Sequence, residues 1–464
     1  MVLPTKPNSW LCEHHSILST SIGILAFEAA AAMSRLVSLH RSLSEPELRR
    51  LRADTMRSPG VAYLTSTDQH FLLRLACAEL FSDLDSAAAT VSRFSIHCDS
   101  EPLLSFPRTY AGIKAGSTTT HIVTLSVKGV ERRVKQMEKC VAVVVKLLEE
   151  MEAGGKNMTL VKFGTLVPHK PTAEINSQIK KVGKLKEQSL WCKTFDEVVA
   201  LMSQVVLAIF ARICAVFSPF VPGLPPVLIS GCRMSFNPFN PRLRVYPLFT
   251  SRPYASGPID RTKAAAKEVA FRNSCPIIGR GNSEGEYKLP QDCKKVLKPE
   301  ERTVGGSGLM IQYANIIFTA ERLMRIKNGA EEAEEGEVAA TRNEIYQMLP
   351  AKLQGMVRRR LRERWRERGA ADCKLAEGWR EAVERILKWL GPVARDTEKW
   401  REERMMDKRR RLNTKPRVFA LQTLLFSDRE KVEMAIAEVL VGFSCICWYE
   451  GDGYIAGDGC CRNS

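Results

Sequence analysis

The sequence predicts an all-α protein of two helical regions joined by a Pro-rich, largely irregular linker. Three observations carry that expectation. Ala, Leu, Glu, Arg and Lys are abundant while aromatic residues make up only 7% of the chain, a mix that favours helices over sheets. Apolar residues recur at spacings of three and four through most segments, the period of a helix with one buried face. Twelve of the 23 prolines fall between Pro219 and Pro299, where they remove amide donors and block helix continuation. A chain of 464 residues has room for two or three domains and for a sizeable core without disulfide staples.

Taken in order, residues 1–20 are expected to form a mobile N-terminus, followed by an N-terminal helical domain over 21–94. There Ile22, Leu25, Ala29, Met33 and Leu36 share one helix face. Ser44 and Glu47 stand in capping-box spacing with Pro46 in the first turn, which predicts a second helix from about Glu45. Phe71, Leu75, Leu84, Ala88 and Val91 form a third apolar stripe. Further helices are expected over 95–218. One carries Val130, Val134, Met137, Val141, Val144 and Leu148 and is expected to stop at "EAGGKN"; another opens at Thr194 and Glu197 and becomes the most buried helix.

The linker is expected over 219–302, the C-terminal helical domain over 303–449 and a tail over 450–464. In "TVGGSGLMIQYANIIFTAERLMR", Gly305, Gly306 and Gly308 precede a helix whose face is Leu309, Tyr313, Ile316, Ala320 and Leu323. The later helices are "EIYQMLP", the arginine-rich "VRRRLRERWRERG", "WREAVERILKWLGP", expected to end at Gly391 and Pro392, and a last one beginning at Ser427, paired with Glu430 as a capping box.

The chemistry these residues offer is narrow. The formal net charge is +17, which favours acidic partners such as nucleic acid, anionic lipid or an acidic protein face. All seven histidines lie within the first 169 residues, so the C-terminal region has no histidine base or ligand. Fourteen cysteines without a regular framework point to reduced, intracellular thiols. The nearest to a metal pattern, Cys445, Cys447, Cys460 and Cys461, lacks paired C-x2-C spacing, and neither a metal nor a cofactor is expected.

The glycine stretch lacks the lysine and hydroxyl of G-x-x-x-x-G-K-[ST], and Ile311 stands where G-x-G-x-x-G needs its third glycine. Gly305, Gly306 and Gly308 are therefore expected to make a packing turn that leads into a buried helix, with anion binding at the helix N-terminus as the alternative. Arg358, Arg359, Arg360, Arg362, Arg364, Arg366 and Arg368 form a basic contact face or a solvated helix side. Lys408, Arg409, Arg410 and Arg411 make a compact cluster compatible with nuclear import.

No Ser/His/Asp order, paired catalytic carboxylates or nucleophile elbow emerges, and a helical interaction protein is expected rather than an enzyme. Ile17 to Met33 carries Glu28 and follows a weak basic region, so no signal peptide is expected. Position 2 is Val, against N-myristoylation. Val198 to Val221 is apolar, but Arg212 near its middle would cost roughly 2.5–3.5 kcal/mol on insertion scales, so no transmembrane span is expected there.

"SIGILAFEAAAAMSRLVSLHRSLSEPELRRLR" resembles the N-terminal domain of the plant PSK SIMULATOR family. "TVGGSGLMIQYANIIFTAERLMR", "IYQMLP", "WREAVERILKWLGPVARDTEKW" and "LQTLLFSDREKVEMAIAEVLVGFSCICWYE" resemble its second domain, in the family's order, with "QSLWCKTFDEVV" between. The resemblance implies a non-enzymatic plant growth regulator linked to phytosulfokine peptide-hormone signalling. It also implies a nuclear location, for which cytoplasm or peripheral membrane are the alternatives, and together with the amphipathic helices it leads to the expectation of protein partners. It carries over no catalytic residue. The second reading is a basic nucleic-acid-associated nuclear factor using Arg358 to Arg368 and Lys408 to Arg411. A phosphate-ligand enzyme centred on Gly305 to Gly308 is the third.

Overall fold

The computed structural model describes residues 21–116, 127–162, 172–225, 289–327, 337–366, 373–404 and 412–451. Among them every regular element is a helix. Only two isolated bridges, Ser21 with Thr194 and Thr303 with Asp428, pair the backbone in the β manner.

The helices gather around two apolar cores. The N-terminal core is built on α4 (Gln69–Ser95) and α9 (Phe195–Phe217), with α1 (Ala26–Ser42) lying against both. Ala26, Ala29, Ala30 and Ala32 are buried on α1, and their small side chains let the neighbouring helices approach closely. Phe81 of α4 and Phe210 of α9 meet at 5.4 Å between ring centroids and are fully buried. Each such side chain contributes about 1.5–3 kcal/mol relative to exposure. Around this centre stand α2 (Glu45–Arg50), α3 (Pro59–Leu64), α5 (Glu101–Leu104) and α6 (Phe106–Lys114). The long α7 (Val127–Lys162) packs on α1 and is followed by α8 (Thr172–Gln188).

The C-terminal core is formed by α11 (Met310–Lys327), α14 (Cys373–Arg404) and α15 (Arg429–Gly451), flanked by α12 (Glu337–Met348) and α13 (Ala351–Arg366). Its centre holds one buried polar cluster. The Tyr313 hydroxyl donates to Glu433 Oε1 at 2.8 Å, and Arg429 and Lys352 pair with the same carboxylate at 2.7 and 2.9 Å. Burial pushes the Glu433 carboxyl up, but these hydrogen bonds outweigh it and hold the group below its ordinary value.

Several boundaries differ from the sequence expectation. The described part of the expected linker at 289–302 carries α10 (Leu289–Val296), whose Cys293 is buried in the N-terminal core, as is Val221 at the other end. A residue rich in local proline can still pack when its neighbours are apolar, which composition alone does not reveal. Residues 226–288 and the tail from 452 lie outside the described residues.

Helix α7 runs through Gly154 and Gly155 instead of stopping, because glycine weakens a helix by about 1 kcal/mol without forbidding it. Helix α14 likewise continues through Gly391 and Pro392 to Arg404. Its proline falls on the exposed side with Lys388, while Leu390, Val393, Ala394 and Thr397 are buried on the other, so packing on both sides of the break offsets the lost hydrogen bond.

The cap of α15 sits one residue late. Asp428 Oδ1 accepts from the Lys431 amide at 3.0 Å, whereas the Ser427 hydroxyl donates to the Thr423 carbonyl. Ser44 occupies the N-cap of α2 but its side chain makes no capping bond, while Thr194 Oγ1 does accept from the Glu197 amide at 3.3 Å. Both α9 and the Arg429–Tyr449 part of α15 are long and apolar enough to cross a membrane, and 67% of each apolar window is buried inside the fold.

Candidate functional site

The three glycines form a latch between the chain before α11 and the chain before α15. The Val304 and Gly305 amides donate to the Ser427 and Leu425 carbonyls at 2.9 and 3.1 Å, and the Arg429 amide returns a bond to the Arg302 carbonyl. The Gly306 amide donates to Thr303 Oγ1, the Ser307 amide to the Thr303 carbonyl and the Gly308 amide to the Gly305 carbonyl. The amides of Gly305, Gly306, Ser307 and Gly308 are thus already occupied and do not form an open phosphate cradle within the turn. The side chains are excluded for separate reasons. A Cβ on Gly305 would lie 2.4 Å from the Leu425 carbonyl oxygen, one on Gly306 would lie 2.0 Å from that of Glu300, and Gly308 has φ +73°.

The arginines of α13 divide between two tasks. Arg360 pairs with Glu438 of α15, and the Arg364 guanidinium lies 5.5 Å from the Trp379 ring centroid, so both help hold α13 to the core. Arg358, Arg359, Arg362 and Arg366 are exposed, beside Trp365 at 51% exposure. Arg368 and the Lys408–Arg411 cluster lie outside the described residues, as do Cys460 and Cys461. Burial raises the thiols of Cys214 and Cys293 to about 12 and that of Cys445 to about 11, which keeps them protonated and makes them packing groups.

The densest polar arrangement joins the two cores. After α14 the chain returns as an extended strap, 412–419, across the N-terminal helices. Ser34, Ser38 and Arg41, spaced along one face of α1, donate to the carbonyls of Asn413, Lys415 and Thr414 at 2.8, 2.7 and 2.8 Å. Beneath the strap, Glu79 of α4 is buried. It accepts from the Trp400 indole at 2.8 Å and the Ala420 amide at 2.7 Å, and pairs with Arg404. Burial pushes the Glu79 carboxyl up despite these donors. Asp83, one turn later, takes Arg417 at 3.3 Å.

Between this seam and α3 opens a cleft of about 1060 Å³, walled by α2, α3, α14 and the strap. Here α3 touches α14 closely. A Cβ on Gly60 would come within 2.6 Å of Val393 and 2.8 Å of the Trp389 carbonyl oxygen. Inside the cleft Glu403 accepts from the Val418 amide at 3.2 Å, and burial raises its carboxyl to about 7.

Comparison with known proteins addresses both cores. A domain of unknown function (DUF3475) matches residues 24–80, and a protein of unknown function (DUF668) matches residues 303–399. Protein PSK SIMULATOR 1 of Arabidopsis thaliana is 23% identical over 450 residues, covering 92% of this chain and 56% of that protein. Protein PSK SIMULATOR 3 of the same plant is 20% identical over 443 residues, covering 89% and 54%. Protein PSK SIMULATOR 2 is 25% identical over 222 residues, covering 45% and 36%.

The chain is similar to the PSK SIMULATOR family over most of its length.

It spans about half the length of the PSK SIMULATOR proteins 1 and 3. No solved structure matches. On this chain the first matched segment ends one residue after Glu79, and the second ends one residue before Trp400. The Glu79 staple therefore ties the edge of one segment to residues just past the other. Sequence reasoning passed over it, although a signal existed. Glu79 stands four residues after Leu75, where the apolar stripe of α4 calls for another hydrophobe. The strap bonds left no comparable mark, because its contribution is made by main-chain carbonyls.

Proposed function

We propose that the chain is a non-enzymatic regulator of plant growth in phytosulfokine peptide-hormone signalling and that it acts through protein partners. The observation that carries this reading is the match of both family segments, in order, within a chain that aligns over most of its length with plant proteins named PSK SIMULATOR. A non-enzymatic role is supported by the confinement of all histidines to the first 169 residues and by the occupied amides of the glycine turn. Action in the nucleus is part of the proposal and rests on the Lys408–Arg411 cluster; cytoplasm and peripheral membrane are the alternatives.

Proximity labelling by the full chain in plant cells, with and without phytosulfokine, tests this function. Recovery of signalling proteins in a hormone-dependent set is expected, and recovery of none would overturn it. The exposed arginines Arg358, Arg359, Arg362 and Arg366 beside Trp365 favour nucleic-acid association as a second reading. That reading requires binding to duplex or single-stranded nucleic acid that weakens with salt and is lost when these arginines become glutamine.

A further inference from the structure

The cleft between α3, α14 and the strap has two kinds of wall. Its floor is apolar, made by Val61, Val393, Val418 and the half-buried Trp389. Its rim is cationic. Arg385 and Lys388 stand nearly one turn apart on the exposed side of α14, and Lys415 stands exposed on the strap. Among the described residues none of these three has a carboxylate in salt-bridge range, in contrast to the other cations of the cleft. Arg50 pairs with Glu47 at 2.7 Å, Lys399 with Asp396 at 3.7 Å and Arg417 with Asp83 at 3.3 Å.

The carboxylates of the cleft do not cancel that rim. Asp396 is engaged by Lys399 and Gln422, Glu403 is turned to the Val418 amide, and burial lowers the tendency of both to ionise. Glu402 has interactions of its own, and Asp54 stands exposed in the lining contributed by residues 50–61.

We propose that this cleft is a docking groove for an acidic, partly apolar peptide segment of a partner protein. Its carboxylates would meet Arg385, Lys388 and Lys415, and its aliphatic side chains would cover Val61, Val393 and Trp389. The inference rests on the partner-binding reading above and deepens it. Charge complementarity selects the sign of the occupant, and the floor selects its kind. A small polyanion satisfies the rim but leaves the apolar floor in water, whereas a peptide with alternating character satisfies both. A volume of about 1060 Å³ is also at the upper end of the roughly 300–1,000 Å³ of small-molecule pockets.

The test uses the full chain and a fluorescein-labelled peptide of Glu-Glu-Leu repeats, followed by fluorescence anisotropy at physiological salt. Saturable binding is expected, weakened about tenfold or more by Arg385→Glu with Lys388→Glu. The same double variant is expected to gain binding of a Lys-Lys-Leu peptide. Lys180→Glu with Lys181→Glu on α8 changes the net charge equally, far from the cleft lining, and is expected to leave binding unchanged. Circular dichroism checks the fold of each variant; Lys415→Glu on the strap serves if the α14 pair unfolds.

Equal weakening by the α8 pair would overturn the proposal, because attraction would then follow overall charge. Absence of saturable binding would overturn it too. So would a Glu-Glu-Ser peptide or tripolyphosphate binding as tightly as the Glu-Glu-Leu peptide, since the apolar floor would then play no part. If the peptide fails while proximity labelling still recovers partners, the cleft assignment falls and the partner-binding function stands.

Discussion

Gly306 leaves no room for a side chain, and this decides what its turn is for. A Cβ there would overlap the Glu300 carbonyl oxygen at 2.0 Å, and that oxygen is fixed by hydrogen bonds from the Thr303 amide and hydroxyl. Gly306→Val is therefore expected to lower stability by about 2–4 kcal/mol, seen as a lower urea midpoint at unchanged slope. A variant as stable as the parent would show that the turn has slack. Glu403 gives a second local expectation. Its carboxyl titrates near 7 in the fold against an ordinary 4.5, with burial the main cause. The folded state then binds more protons than the unfolded one between these values. Stability from this group is full below pH 4.5 and is lost as pH rises toward 7, on the order of 2 kcal/mol. Glu403→Gln should flatten that part of the stability profile in denaturation series from pH 4.5 to 8; an unchanged slope would refute the assignment.

The strap and α1 form a unit whose bonds run in one direction, from side chains to main chain. Ser34 and Ser38 are fully buried and each supplies the donor for one strap carbonyl. Replacing both by alanine leaves two carbonyls without partners, a loss of about 1–3 kcal/mol each. Hydrogen exchange should report it as faster exchange across residues 413–418 while α4 and α9 keep their protection. Protection unchanged in the strap would mean that it is held elsewhere.

This pairing also marks where sequence reading ends. Helical period made α1, α4, α9, α11 and α15 legible, because each has a continuous apolar face. Capping was legible in position to within a residue, with Asp428 and not Ser427 at the start of α15, but not always in chemistry, since Ser44 makes no capping bond. Helix ends signalled by Gly154, Gly155, Gly391 and Pro392 were misread, since local cost was outweighed by packing from distant segments. The cleft was illegible for the same reason, as its walls come from residues 50–61, 385–403 and 413–422.

The buried Glu79 carboxylate is one of several links between the two cores, so their unfolding should be coupled as well. Glu79 sits in the N-terminal core but receives the Trp400 indole, the Arg404 guanidinium and the Ala420 amide from the C-terminal half. Leu64 of α3 crosses in the opposite sense and is buried in the C-terminal core, where its carbonyl accepts the Asp428 amide at 2.8 Å. Apolar and polar links in both directions leave neither core complete without the other, and one cooperative transition is expected in calorimetry. Glu79→Ala removes the acceptor shared by three donors and leaves Arg404 with Asp83 and Glu403, each near 4 Å. Breaking a buried ionic group in this way costs about 3–5 kcal/mol. The C-terminal core, with its Tyr313–Glu433 centre intact, keeps its own stability. Glu79→Ala should therefore split the single transition into two, or make the van't Hoff enthalpy smaller than the calorimetric one, whereas Glu79→Gln, which retains two acceptor sites, should do so less. A single transition with matched enthalpies in Glu79→Ala would show that the remaining links, through Leu64, the strap and Asp83–Arg417, suffice to hold the cores together.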